Sequence, residues 1–182
     1  MNVLEIIKSE HRQVVKLIDE IASCEPGDDR LFELAKEIEQ QLSLHLALEE
    51  RLFYAPLRDC AQEVDEQVDV FEAYTEHAVA KALIEMLSSR RKTDSRFKAE
   101  LVVLGDSVKN HVREEESNVF AIAREYLNPE ELGEIGEAWE KAKARAQRAP
   151  SSGTGRKAAV RGTTASGTKA KTGAATAVTR RR

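Results

Sequence analysis

The chain has 182 residues, of which 33% are charged and 5% aromatic, and it contains two cysteines. That composition fits one helical domain with extensions and leaves no room for a disulfide framework; no run of about 18 apolar residues exists for a transmembrane helix. The formal charge of −4 conceals a division, because residues 149–182 hold eight Lys or Arg and no acid, leaving 20 basic against 32 acidic residues in the rest.

The start, Met1-Asn2-Val3-Leu4-Glu5, has no basic segment or apolar signal core, so secretion through a signal peptide is not expected. Two cysteines suit a reducing cytoplasm. Asn2 to about Ser23 predicts the first helix, with Leu4, Ile7, His11, Val14 and Ile18 on one stripe and Asn2 and Glu5 placed as a capping box. Cys24-Glu25-Pro26-Gly27-Asp28 breaks it.

The second helix is expected from Asp28 or Asp29 to Arg58–Cys60, with Leu31, Leu34, Ile38, Leu42, His45, Glu49 and Leu52 inward and a kink at Pro56. The third runs from about Gln62 to Ser88, with Val70, Tyr74, His77, Ile84 and Leu87 inward. Asp94 caps the fourth, which carries Phe97, Leu101, Leu104, Val108, His111, Glu115 and Ile122 to about Leu127. Asn128-Pro129 opens a shorter fifth helix to about Gln147, whose Leu132, Ile135 and Trp139 are candidates to pack on the bundle end or make a dimer. From Ala149 the Ser, Gly, Thr, Ala, Lys and Arg composition predicts a disordered basic tail over 149–182.

Four long helices with short connections predict an all-α, up-down-up-down four-helix bundle over residues 1–148, the short fifth helix included. Each of the four histidines then falls on a different helix, and at ~1.5 Å rise per residue their depths agree within roughly 10 Å. His45 and Glu49, like His111 and Glu115, are four apart and share a helix face. A lone inward histidine is ordinarily a core residue bonded to a carbonyl. Four at one depth with two inward carboxylates have no packing explanation, since buried glutamates need a cation or strong hydrogen bonds. Six such ligands exceed one tetrahedral zinc and suit two bridged metals in a bundle core.

The order His11, His45-x-x-x-Glu49, His77, His111-x-x-x-Glu115 resembles the hemerythrin-like (HHE cation-binding) family, as does the run Glu49-Glu50-Arg51-Leu52-Phe53-Tyr54-Ala55-Pro56. The resemblance covers about residues 1–127. It implies two non-haem iron ions, oxo-bridged, with Glu49 and Glu115 bridging, His11 and His45 on one iron and His77 and His111 on the other. Oxygen carriers of the family have a fifth histidine in a His-x-x-x-His pair on the third helix and an Asp five residues after the last one. Here Ala73 and Lys81 flank His77 at that spacing, and Glu115 follows His111 by four. The resemblance therefore implies catalase-like decomposition of hydrogen peroxide, with O2 or NO as further ligands, rather than oxygen transport. A non-enzymatic O2, NO or iron sensor or store is the alternative. Tyr54 is the candidate replacement ligand if Pro56 unwinds the helix and turns it inward, with Tyr74 as the other candidate; both also suit core aromatics. Glu50, Glu114 and Glu116 are candidates to hydrogen-bond the histidines.

Cys24 and Cys60 are expected at opposite poles, ~45 Å apart along a 30-residue helix, and hence as free thiols. The tail, with Arg156, Lys157 and Arg180–Arg182 but no aromatics, is a candidate for weak nonspecific contact with nucleic acid or an anionic surface. A solubilising role explains the same composition.

Overall fold

In a computed structural model, residues 1–148 are described; the expected tail, 149–182, lies outside them. Seven α-helices, numbered in chain order, and two π segments make five helical rods, with no strand among the described residues. α1 is Val3–Ala22. α2 (Arg30–Leu48) continues through a first π segment, Glu49–Tyr54, into α3 (Ala55–Cys60). α4 is Val64–Ser88. α5 (Ser95–Glu114) continues through a second π segment, Glu115–Val119, into α6 (Phe120–Tyr126), and α7 is Pro129–Arg148.

Local chemistry sets the boundaries. Asn2 Oδ1 accepts from Leu4 N at 2.9 Å, so Asn2 caps α1 at the second turn position rather than through a complete box with Glu5. Asp94 caps α5 through Phe97 N at 3.0 Å. At α7 the box is reciprocal: Asn128 Oδ1 accepts from Glu130 N and Glu131 N, and Glu131 Oε2 accepts from Asn128 N at 2.7 Å. Pro129 stands at the first helical position, where no donor is needed.

α1 packs against α2 and α5, and α4 packs against the same two, which closes the expected antiparallel square. α7 runs for 20 residues along α1 and also touches α2 and the first π segment. It therefore lies on the flank of the bundle, not across its end. Gly136 permits that approach, because a Cβ there would stand 2.3 Å from the Met1 carbonyl oxygen.

The core has two parts. One apolar cluster holds Val3, Leu4, Ile6, Ile7, Phe53, Tyr54, Leu57, Val70, Phe120 and Trp139. The other holds Val14–Cys24, Leu31–Leu46, Ala80–Leu87 and Phe97–Val108 positions of the same helices. His11, His77 and His111 fall between the two in sequence, and His45 stands at their border, flanked by Leu42 and Leu46 of the second and followed by Leu48 of the first. A polar layer thus divides the bundle core. No helix among the described residues is long and apolar enough to cross a membrane.

Candidate metal centre

His11 and His77 sit inside α1 and α4, and His45 and His111 one turn before the ends of α2 and α5. Glu49 and Glu115 are the first residues of the two π segments. All six are buried, none exposed by more than 6%.

Glu49 lies between two groups of imidazoles. Its Oε1 is 2.9 Å from His45 Nε2 and 3.5 Å from His11 Nε2, while its Oε2 is 3.2 Å from His77 Nε2. Glu115 Oε2 is 3.1 Å from His11 Nε2 and 3.8 Å from His111 Nε2. Its Oε1 accepts a hydrogen bond of 2.9 Å from the Tyr54 hydroxyl. That hydroxyl is also 3.2 Å from His77 Nε2, which is 3.2 Å from His111 Nε2. One half of the layer therefore gathers His11 and His45, and the other His77, His111 and Tyr54, with a carboxylate on either side of both.

The fit to a cation is testable on unpartnered atoms. His11 Nε2, His45 Nε2, both oxygens of Glu49 and Oε2 of Glu115 are buried without a hydrogen-bond partner, so their approaches to one another lack hydrogen-bond geometry. An unpaired buried carboxylate is strongly destabilising. Ligand atoms of His11, Glu49, His111 and Glu115 lie within 4.8 Å of one another. Many neighbouring donors are near 3 Å, the edge of an octahedron with bonds of ~2.1 Å. A cation among them satisfies the orphaned atoms, and the buried histidine–glutamate cluster fits a metal site.

Without a cation, protons hold the charges together. Burial by itself would depress the histidine pKa values, but the carboxylates outweigh it. Glu49 and Glu10 hold His45 at about 9, Glu115 and Glu49 hold His11 well above its usual range, and Glu76 and Glu115 raise His111. Burial would raise Glu49, yet His45, His11 and His77 keep it well below the usual carboxylate range. Burial, then the charges of Glu115 and Glu49, push the Tyr54 phenol well above its normal value. In the metal-free centre Tyr54 is therefore a neutral donor.

Around this layer runs a ring of four more carboxylates. Glu10 on α1 meets His45 Nδ1 at 2.8 Å, and Glu50 meets His77 Nδ1 at 3.1 Å. Glu76 on α4 meets His111 Nδ1 at 2.8 Å, and Glu116 meets His11 Nδ1 at 3.1 Å. Each helical rod thus supports the histidine of the next, and every Nε2 is left facing inward. A carboxylate on Nδ1 fixes the tautomer and makes Nε2 a better ligand. Glu50 and Glu116 were among the expected partners; Glu114 instead accepts from Asn110 Nδ2 at 2.9 Å. Glu10 and Glu76 were not anticipated, although a sequence signal existed. Glu10, His11, His45, Glu49 and Glu50 recur as Glu76, His77, His111, Glu115 and Glu116, every pair the same distance apart in the chain. In this repeat Tyr54 corresponds to Phe120.

Tyr54 does turn inward, and the wide turn that aims it starts at Glu49, ahead of Pro56. A π-helix bonds residue i to i+5, so Tyr54, five after Glu49, comes onto the same face. Its consequence is a shift of phase: Phe53, Tyr54 and Leu57 are buried, and Leu52 is only half-buried. Tyr74 stays out of the layer, its hydroxyl donating to the Glu50 carbonyl at 3.1 Å.

The described structure also exposes a cavity of about 360 Å³ beside His45, between α1, α2 and α7, lined among others by Glu10, Gln13, Gln41 and Lys143. Another, of about 240 Å³, reaches His11 past Arg12 and Lys16.

Comparison with known proteins found a match between residues 2–123 and the Hemerythrin HHE cation binding domain. A protein of Nostoc sp. (strain PCC 7120 / SAG 25.82 / UTEX 2576) described as a DNA nickase is 30% identical over 147 residues. That alignment covers 81% of this chain and 40% of the Nostoc protein, so the chain spans less than half the length of that relative. No solved structure matches significantly.

Proposed function

Because the chain belongs to the hemerythrin HHE cation-binding family, we propose that its histidine–glutamate layer holds two iron ions and decomposes hydrogen peroxide in the manner of a catalase, with O2 and NO as further small ligands. The observation that carries the metal reading is the set of five buried, unpartnered donor atoms in the layer. His11 and His45 would hold one ion together with Glu49 and Glu115, and His77 and His111 would hold the other with the same two carboxylates and Tyr54. Imidazole, carboxylate and phenol together suit iron, and the donors outnumber what tetrahedral zinc accepts.

A pair of bound irons supplies the electron uptake and return by which two molecules of peroxide become two of water and one of O2. The chain does the rest. Tyr54 fills a position on the His77/His111 half and leaves the His11/His45 half with fewer protein donors, so small ligands are directed there. The cavities at His45 and His11 open on that half. Apolar clusters on both sides of the layer exclude bulk water, and the carboxylate ring keeps each imidazole proton on Nδ1.

The test is the visible spectrum and metal content of protein purified in air, followed by peroxide turnover. Two irons per chain with oxo-to-ferric bands, and peroxide decomposition lost in His45→Ala and Glu115→Ala, are expected. Zinc or no metal, or unchanged rates in both variants, would overturn it. Reversible ligand binding with negligible turnover would instead mark a sensor or store.

A second reading rests on the relative described as a DNA nickase. The chain associates with DNA through the eight basic residues of 149–182, as counterion release permits. Salt-sensitive binding to duplex DNA that disappears on removing those residues supports it; no binding at low salt rules it out. Nicking of supercoiled plasmid is assayed beside it, since most of the Nostoc protein has no counterpart here.

A further inference from the structure

Glu116 and Glu50 are each met by a lysine, Lys8 at 3.1 Å and Lys81 at 2.5 Å, but Glu10 and Glu76 are held unequally, and that difference comes from α7. Glu10 Oε2 holds His45 Nδ1, while its Oε1 accepts the indole N–H of Trp139 at 3.1 Å and the ammonium of Lys143 at 2.6 Å. Trp139 is fully buried, and its ring stands edge-on to His45 with centroids 5.7 Å apart. Trp139 and Lys143 are four residues apart and share one face of α7, so a single helix delivers both donors. The counterpart of Glu10 in the repeat is Glu76. It holds His111 equally closely, but its other oxygen has only a 3.5 Å contact with Asn110 Nδ2, and its side chain is 19% exposed against 11% for Glu10.

We infer that α7 is a clamp on one half of the metal centre: Trp139 and Lys143 are positioning residues that lock His45 through Glu10 and make the His11/His45 position the slower to release ferrous iron, to which the neutral phenol of Tyr54 on the other half is only a weak donor. The inference rests on the two-metal reading above. A carboxylate fixed by two further donors cannot swing off Nδ1, so the imidazole keeps its orientation and the carboxylate its tilt. Loss of such outer contacts ordinarily changes metal affinity by about 10–100-fold. At Glu76 the carboxylate has no comparable restraint.

The clamp is tested on the full chain loaded with iron, reduced anaerobically and challenged with excess ferrous chelator. Release is expected in two equal phases, one iron each. Trp139, the one tryptophan in the chain, is quenched by iron near His45, so its fluorescence should recover with the slow phase. Trp139→Phe, which keeps the ring and removes the N–H, and Lys143→Met, which keeps the stem and removes the charge, should each speed the slow phase about 10-fold. Lys143→Arg should restore it, and Asn110→Ala should alter only the fast phase. If Trp139→Phe does not fold, Lys143→Met, at a residue one-third exposed, still decides the matter. Two irons leaving in one phase, fluorescence recovering with the fast phase, or an unchanged slow phase in Lys143→Met would overturn the clamp while leaving the metal site intact. Failure of the unaltered chain to bind iron would overturn both.

Discussion

Tyr54 and Phe120 occupy matching positions in the two halves, and one oxygen atom is the difference between them. Burial and the nearby Glu115 and Glu49 charges oppose ionisation of Tyr54, so a phenolate there requires a metal to stabilise it. Tyr54→Phe is predicted to keep two irons per chain and to lose any phenolate-to-ferric absorption band. An unaltered spectrum in that variant would remove Tyr54 from the ligand set. Among the ring carboxylates, Glu10 and Glu76 illustrate what a single-helix reading overlooks. Each precedes its histidine by one residue, about 100° round the helix and off the inward stripe, and it serves the histidine of the neighbouring rod instead. The free thiols also differ. Cys24 is fully buried with Sγ 3.5 Å from the Glu20 carbonyl, whereas Cys60 is partly exposed. A thiol reagent should label Cys60 first and Cys24 only on unfolding, and equal labelling rates would contradict that burial.

At the level of elements, two features decide the site: the π segments and the docking of α7. The π segments begin at Glu49 and Glu115, where one wide turn lets the carboxylate and the residue five later share a face. Periodicity of 3.6 carried the Glu115 stripe on to the buried Ile122, but beyond Glu49 it ran one residue out of phase, pointing to Leu52 where Phe53 is the buried residue. α7 docks where Gly136 meets the start of α1. Gly136→Ala places a methyl group against the Met1 carbonyl, and overpacking of this kind costs about 1–3 kcal/mol. Gly133→Ala meets nothing within 4 Å, and should add about 0.5–1 kcal/mol through helix propensity alone. Urea titration of both variants compares them directly; equal effects would mean that α7 does not seat against α1.

For the whole molecule, a polar layer across an apolar core couples stability to protons and metal. In metal-free protein, the raised pKa values of His11, His45 and His111 mean that their protonation stabilises the fold fully below about 6.5, the ordinary histidine value. That contribution fades as pH rises through the folded value, about 9 for His45. Glu49 acts oppositely: its depressed pKa gives stability above the ordinary carboxylate range that is lost as pH falls. The thermal midpoint of metal-free protein is therefore predicted to fall between pH 6.5 and 9. The shift at His45 alone corresponds to about 3 kcal/mol. Loaded protein should hold its midpoint over that range, because a metal binds neutral imidazoles and replaces the protons. Parallel pH profiles for the two forms would show that the layer does not exchange protons for metal.

The sequence by itself determined the helices, their stops, the antiparallel bundle and the meeting of four histidines and two glutamates at one depth. Those features follow from local spacing, and spacing along one helix needs no knowledge of its neighbours. Only the tertiary structure decided which carboxylate supports which histidine, that α7 lies along α1 with Trp139 against His45, and that Tyr54 rather than Tyr74 enters the layer. Each depends on the rotation of one rod against another, or on a single extra residue in a turn. Neither alters the apolar pattern enough to be read before the chain is folded.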